Sequence, residues 1–395
     1  MNAIPVKELK DGIYFTDDVY LDQNFLLLTK EIPVTNAFIK ALMDWEVKSV
    51  YSEGELTDTE VTEPAESEEI TRELEKDRDK NKTAFDFEEE KVSDPVMKGI
   101  LDFYKYVETV YNHYSVKKNL SPQEISDKAR DFCEFVKNNK TKVLSLVAFP
   151  PEAFKNYLAS HSVRSTIFSI VIGLQLKFPN HKLIELTVSA MLHEIGMVCL
   201  PQQFFMSRRA LTPQEKKMLA AHPVLSYNIL REASFPVSVC LAAIEHHERM
   251  NGGGYPRNLD GSKISVYARI IAVACSFEAI TSSRPYREGK DSHLGVMDIM
   301  RNSGKLYDES VVKALVYAIS IYPIGLYVLL SNGKIGQVVD VNLILPKYPI
   351  VKVLGETDAS GKNRVIPTTQ IGVHIERPLT KQEWENIKAS GNINR

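Results

Sequence analysis

Five of the nine histidines in this 395-residue chain fall between residues 161 and 247: His161, His193, His222, His246 and His247. Imidazole is the commonest nitrogen ligand for zinc, iron and manganese, and carboxylates or thiolates complete such sites. Spacings of roughly 25–30 residues suit successive antiparallel helices that each return one ligand to a common cavity. His193 closes an apolar run (Leu186, Val188, Ala190, Met191, Leu192) and is followed by Glu194. At a helix end both side chains can reach a metal, the carboxylate bridging to a second ion. His246-His247-Glu248 closes another apolar run. Neighbouring side chains on a helix diverge by about 100°, so these two histidines can share an ion only where the helix terminates. A lone histidine on an apolar face is more often a hydrogen-bonded core or cap residue, and His113, His181, His293 and His374 are read that way.

The pattern around these residues supplies the helices. Residues 96–145 carry an apolar stripe (Ile100, Phe103, Tyr104, Val107, Val110, Tyr111) at helical spacing. Ser121-Pro122-Gln123-Glu124 is a helix-start signal, and it recurs at Thr212-Pro213-Gln214-Glu215. Residues 151–322 read as helical throughout. Residues 1–52 read as a small α+β domain with strands over 13–15, 25–28 and 47–51 and a helix over 35–45. The C-terminal part reads as a small β module: a hairpin turning at Ser331-Asn332-Gly333-Lys334 with a type I′-compatible turn, then strands over 351–354 and 365–373. The expected class is therefore mainly α. Its divisions are an accessory domain (1–52), an acidic linker (53–94), connecting helices (95–150), a helical domain (151–325), a β module (326–378) and a tail (379–395).

Charge and cysteine content narrow the partners. The net charge of −3 conceals an acidic segment over 53–91, with 16 acidic and 6 basic residues, which leaves the rest mildly basic. That suits an anionic ligand and falls short of the basic footprint of a duplex nucleic-acid binder. Cys133, Cys199, Cys240 and Cys275 form no CxxC pair, which fits a reducing compartment. The chain begins without a signal-peptide core, and the apolar stretch 311–330 contains Lys313 and breaks at Pro323-Ile324-Gly325. It reads as a buried helix followed by a strand, with no membrane span, and a cytoplasmic location is expected.

One family carries this combination. His161-Ser162-Val163-Arg164, Leu192-His193-Glu194-Ile195-Gly196, His222-Pro223, and the run from His246-His247-Glu248 to Gly252-Gly253-Gly254-Tyr255-Pro256 resemble the HD-GYP family. Ala268-Arg269-Ile270 and Thr281-Ser282-Ser283-Arg284-Pro285-Tyr286-Arg287 extend the likeness, which covers residues 155–325. The resemblance implies a helical bundle holding two divalent ions, iron or manganese first and zinc as an option. It also implies hydrolysis of cyclic di-GMP by a water that the two metals activate. By position, His161 and His193 would hold one ion, His222, His246 and His247 the other, and Glu194 would bridge. Arg284 and Arg287 match the family's basic pair beside the phosphates, and Gly254, Tyr255 and Pro256 would border the substrate groove or contact a signalling protein partner.

The sequence departs from the family at the site. Glu194 stands where the family has aspartate, its carboxylate one carbon further out, about 1.5 Å. Met197 replaces a lysine, Cys275 replaces an aspartate ligand, and Tyr157 replaces the glutamate that goes with a third metal. Cys275 is read either as a thiolate ligand or as a small buried hydrophobe. Glu278 is read as structural. Three functions follow: an active cyclic di-GMP phosphodiesterase, an impaired receptor or scaffold for the nucleotide, or a phosphohydrolase acting on another phosphoester.

Overall fold

A computed structural model describes residues 2–58 apart from 18, 23–24, 29–33, 35, 37–38, 40–41 and 44–47; then 94–147; then 154–282 apart from 155, 207–208 and 210; and 289–387 apart from 343, 359, 381–382 and 385. The expected helix over 35–45 and the acidic linker lie mostly outside these residues, and Arg284 and Arg287 lie wholly outside them.

The chain divides into two compact units, one of residues 1–90 with 197–219, the other of 91–196 with 220–395. In the first, β1 (Asn2–Pro5), β3 (Val19–Asp22), β4 (Phe25–Leu28) and β5 (Ser49–Ser52) form an antiparallel sheet in the order β1-β5-β3-β4. A second ribbon pairs β2 (Tyr14–Phe15) with β6 (Leu56–Thr57). Val6, Phe15, Val19 and Val50 are buried in one cluster with Phe204, against which Leu200, Leu211 and Met218 pack. Residues 197–219 thus complete the core of a domain whose strands lie almost 150 positions earlier, an arrangement that contiguous sequence boundaries do not express.

The second unit is the helical domain. The helix Pro95–Lys117 starts at Asp94, whose side chain accepts from Val96 N at 2.8 Å, and stops where Lys118 turns left-handed at φ 55°. Its buried face is the stripe anticipated from the sequence, extended by Met97 and Tyr114. At the centre runs the helix Tyr157–Gln175, buried on nearly every side. It packs on the helices Asn180–Leu192 and Val266–Thr281, and Phe168 meets Phe277 edge to face at 4.9 Å. The two helix-start motifs behave differently. Thr212 and Glu215 form a reciprocal capping box, Glu215 N donating to Thr212 Oγ1 at 3.3 Å and Thr212 N to Glu215 Oε2 at 2.7 Å. Ser121 occupies the cap position with no side-chain cap bond.

The stretch 311–330 becomes the helix Glu309–Ile319 followed by β7 (Tyr327–Leu330). Among the described residues no helix is long and apolar enough to cross a membrane. With β8 (Ile335–Asp340), β9 (Ile350–Thr357), β10 (Asn363–Pro367) and β11 (Ile375–Pro378), β7 builds an antiparallel sheet ordered β10-β9-β8-β7-β11. The β7–β8 turn differs from the type expected. Only Gly333 has positive φ, 76°, with Gly333 N donating to Leu330 O and Leu330 N to Lys334 O. Type I′ needs two successive residues at positive φ, and Asn332 does not supply the other. The loop is a type I turn closed by a left-handed glycine. The chain is mainly α, with small β-containing parts at both ends.

Candidate metal centre

Two helix ends carry the site. His193 caps the helix Asn180–Leu192 and His246 caps the helix Val237–Glu245. In each, Nδ1 lies 2.7 Å from the carbonyl three residues back, Ala190 for His193 and Ala243 for His246. A carbonyl only accepts, so Nδ1 carries the proton and Nε2 keeps its lone pair. His222 opens the next helix, His222–Glu232. Gly196 allows that helix to approach: a Cβ there would sit 2.3 Å from His222 O and 2.6 Å from Ser226 N. Gly196 N donates to Ser226 Oγ at 2.8 Å, and Ser226 Oγ donates to His193 O at 2.9 Å.

Glu194 lies at the centre of the histidines. Its Oε1 is 3.9 Å from His161 Nε2, 3.9 Å from His193 Nε2 and 3.8 Å from His246 Nε2, while Oε2 is 3.4 Å from His222 Nε2. The potential ligand atoms fall into two groups, His161-His193-Glu194 and Glu194-His222-His246-His247, with Glu194 in both. Nε2 of His193 and Oε2 of Glu194 are buried without a hydrogen bond, an arrangement that costs about 1–3 kcal/mol per group unless something binds there. Burial lowers the His193 imidazolium to about 4 and, with neighbouring histidines, holds His246 and His247 well below their ordinary value. Burial favours a neutral Glu194, but His222, His193 and His161 outweigh it and keep the carboxyl ionised. Imidazole nitrogens around a carboxylate are a donor set for a divalent cation, and these residues fit one.

His161 is oriented from outside its own helix. Its Nδ1 hydrogen-bonds Glu278 Oε2, and Glu278 in turn receives Ser282 Oγ and faces the Arg164 guanidinium at 3.6 Å. A carboxylate behind a ligating imidazole fixes its tautomer and raises its basicity. This role goes beyond the structural one expected for Glu278. The sequence signal was available only in outline, as a carboxylate one helical turn after Cys275.

Cys275 enters neither group. Its Sγ donates to Ala272 O at 3.6 Å, and burial pushes the thiol up to about 12. Of the two readings for this residue, the geometry matches the small buried side chain. The glycine-tyrosine-proline loop is held by carboxylates that precede it. Glu248 accepts from Arg257 N at 2.7 Å and Leu259 N at 2.9 Å, while Glu245 accepts from Ser265 N at 2.7 Å and pairs with Arg257. Gly254 is sterically required, since a Cβ would lie 2.4 Å from Glu248 Cα. Tyr255 stacks on the His247 ring at 4.7 Å, so the loop braces a site histidine. Tyr157, at the position of the family's further glutamate, lies alongside His161 with ring centroids 6.2 Å apart. Arg249, not singled out from the sequence, exerts its charge on His247, Tyr255 and Cys275, and rests on the Tyr307 ring at 5.1 Å. Among the histidines set aside, His113 bonds Asn119 at 2.7 Å and His293 bonds Ile321 O at 2.8 Å.

Residues 145–311 match the family model of the HD domain. The chain is 30% identical over 245 residues to the cyclic di-GMP phosphodiesterase PdeB of Borreliella burgdorferi, covering 60% of this chain and 64% of that protein. It is 32% identical over 219 residues to the cyclic di-GMP phosphodiesterase PA4108 of Pseudomonas aeruginosa, covering 54% and 51%. The chain is thus similar, over residues 145–311, to the HD domain, and both of these relatives are named as cyclic di-GMP phosphodiesterases. The chain spans 64% and 51% of these two relatives' own lengths. Among solved structures, the HD-GYP protein Bd1817 of Bdellovibrio bacteriovorus aligns with 80% of this chain and 97% of that one, at TM-score 0.48 and 18% identity.

Proposed function

We propose that the protein is a metal-dependent phosphodiesterase that hydrolyses cyclic di-GMP. The observation that carries this reading is the arrangement of five buried or half-buried histidines around Glu194, a carboxylate that belongs to both ligand groups. His161 and His193 would hold one divalent ion and His222, His246 and His247 the other, with Glu194 shared. Imidazole and carboxylate donors suit iron or manganese first and zinc also. When bound, such ions would supply Lewis acidity at the phosphoryl oxygen and an activated water.

The chain's own contributions are orientation and charge. The backbone bonds of His193 and His246 and the Glu278 carboxylate aim the imidazoles. Gly254, Tyr255 and Pro256 would border the substrate and could equally be contacted by a signalling protein. Arg249, with Arg284 and Arg287 from the segment outside the described residues, would neutralise phosphate. The choice of cyclic di-GMP rests on the relatives named for that activity, and a cytoplasmic setting follows from where such a messenger is found.

The test is anaerobic purification, metal quantification, and turnover of cyclic di-GMP and of 3′3′-cGAMP, the substrate of another relative, with added manganese or ferrous iron. About two metal equivalents with a linear product supports the proposal. Nucleotide binding with no metal and no product would replace it with the receptor reading, which the thiol at Cys275 and the methionine at 197 favour.

A further inference from the structure

A cavity of about 730 Å³ takes part of its lining from Arg164 and Phe168 of the helix Tyr157–Gln175, and none of the histidine cluster's ligands is among its described lining residues. Its walls are apolar: Phe168 and Phe277 from the helical bundle, Ile319, and Leu326 with the stacked pair Tyr327–Trp384 from the C-terminal sheet. The size is that of a small-molecule site. Set into this wall is Arg164, only 3% exposed. Its Nη1 donates to Ser282 Oγ, while its Nε has no hydrogen-bond partner. A buried guanidinium N–H without an acceptor is costly. Of the other charged lining residues, Lys290 is paired with Asp298 at 2.6 Å, and Asp291 is occupied in capping the helix Ser292–Arg301 by accepting from His293 N at 2.8 Å.

We infer that this cavity binds a small ligand with an apolar body and a single carboxylate, the carboxylate lying against Arg164. An acceptor-only anion matches a guanidinium better than an alcohol does, because its hydrogen bond is charge-assisted. The position also has a consequence for the metal centre. Arg164 and Ser282 both touch Glu278, and Glu278 orients His161. A ligand that draws the guanidinium toward itself alters the partners of the carboxylate that aims His161. Binding alone stands independently of the phosphodiesterase reading; only this second effect rests on it.

The test is calorimetric titration of the full-length, metal-loaded protein with octanoate and, separately, 1-octanol. Octanoate is expected to bind at least about ten-fold more tightly than octanol, and Arg164→Gln to abolish that difference. Leu294 lies at the rim and is 53% exposed, so Leu294→Trp obstructs the cavity without disturbing the core and is expected to weaken both ligands. His193→Ala should leave octanoate affinity intact. Equal affinity for the two probes, or octanoate binding unaffected by Leu294→Trp, overturns the inference. Octanoate binding lost in His193→Ala places the anion at the metal centre and overturns it too. Failed turnover of cyclic di-GMP would leave all of these titrations interpretable.

Discussion

At the ends of the helices Asn180–Leu192 and Val237–Glu245, His193 and His246 each give Nδ1–H to the carbonyl three residues back, at the same 2.7 Å. His161, inside the helix Tyr157–Gln175, is aimed instead by Glu278, 117 residues away in the chain. The helix-end histidines are oriented by the backbone that carries them, so any fold that forms those helices also forms that geometry. His161 depends on the packing of two helices that meet only in the tertiary structure. The centre therefore combines a locally determined half and a conditional one, and substitutions should separate them.

The largest effect is expected from removing a locally oriented ligand. His193→Ala should abolish turnover and lower metal content by about one equivalent, measured by elemental analysis beside the kinetics. Unchanged turnover would remove His193 from the site. Gly196→Ala tests the local half by geometry, because its Cβ collides with backbone atoms of the helix that begins at His222. Overpacking of this kind costs about 1–3 kcal/mol, so a lowered thermal midpoint together with weaker metal binding is expected. A lowered midpoint with intact metal affinity would show that the approach of that helix is incidental to the centre.

The conditional half should respond in degree. Glu278→Gln keeps the size of the side chain and removes the charge behind His161, and loss of such a partner typically costs 10–100-fold in metal affinity. Histidine nitrogen NMR supplies the readout that a merely structural role would not move, since the His161 tautomer should lose its single assignment while His193 keeps its own. Tyr255→Leu removes the ring stacked on His247; with stacking worth about 0.5–1.5 kcal/mol, a loss of metal affinity of about two- to ten-fold is expected.

This contrast also explains what the sequence disclosed. The apolar runs ending in His193 and His246 were legible because helix periodicity and helix termination are local, and so were Glu194 beside the first and Gly254 in the loop after the second. The hydrogen bond from His161 to Glu278 was not, because no periodicity couples two helices so far apart, and Glu278 alone looks like any acidic residue in an apolar helix. The membership of residues 197–219 in the N-terminal unit was hidden for the same reason: Phe204 is one aromatic residue in a helical region until Val6, Phe15 and Val50 are seen around it. The β7–β8 turn failed at a finer level, where Asn-Gly permits two loop geometries and four-residue spacing selects the one with a single left-handed residue.

The smallest expected effect concerns Cys275, where the sequence left ligand and hydrophobe open. Its thiol donates within its own helix to Ala272 O, and burial keeps it protonated well above neutral pH. To ligate, it would have to lose that hydrogen bond and expose a thiolate beside the carboxylates of Glu194 and Glu278, whose charges raise its pKa further. Arg249 opposes that shift but does not overcome the burial. Cys275→Ala should therefore change metal content by less than about two-fold and leave stability within the range of a small core truncation, about 1 kcal/mol. Loss of a full metal equivalent in this variant would show that the metal draws the thiolate into the centre. The conditional half would then include a second residue from the helix Val266–Thr281.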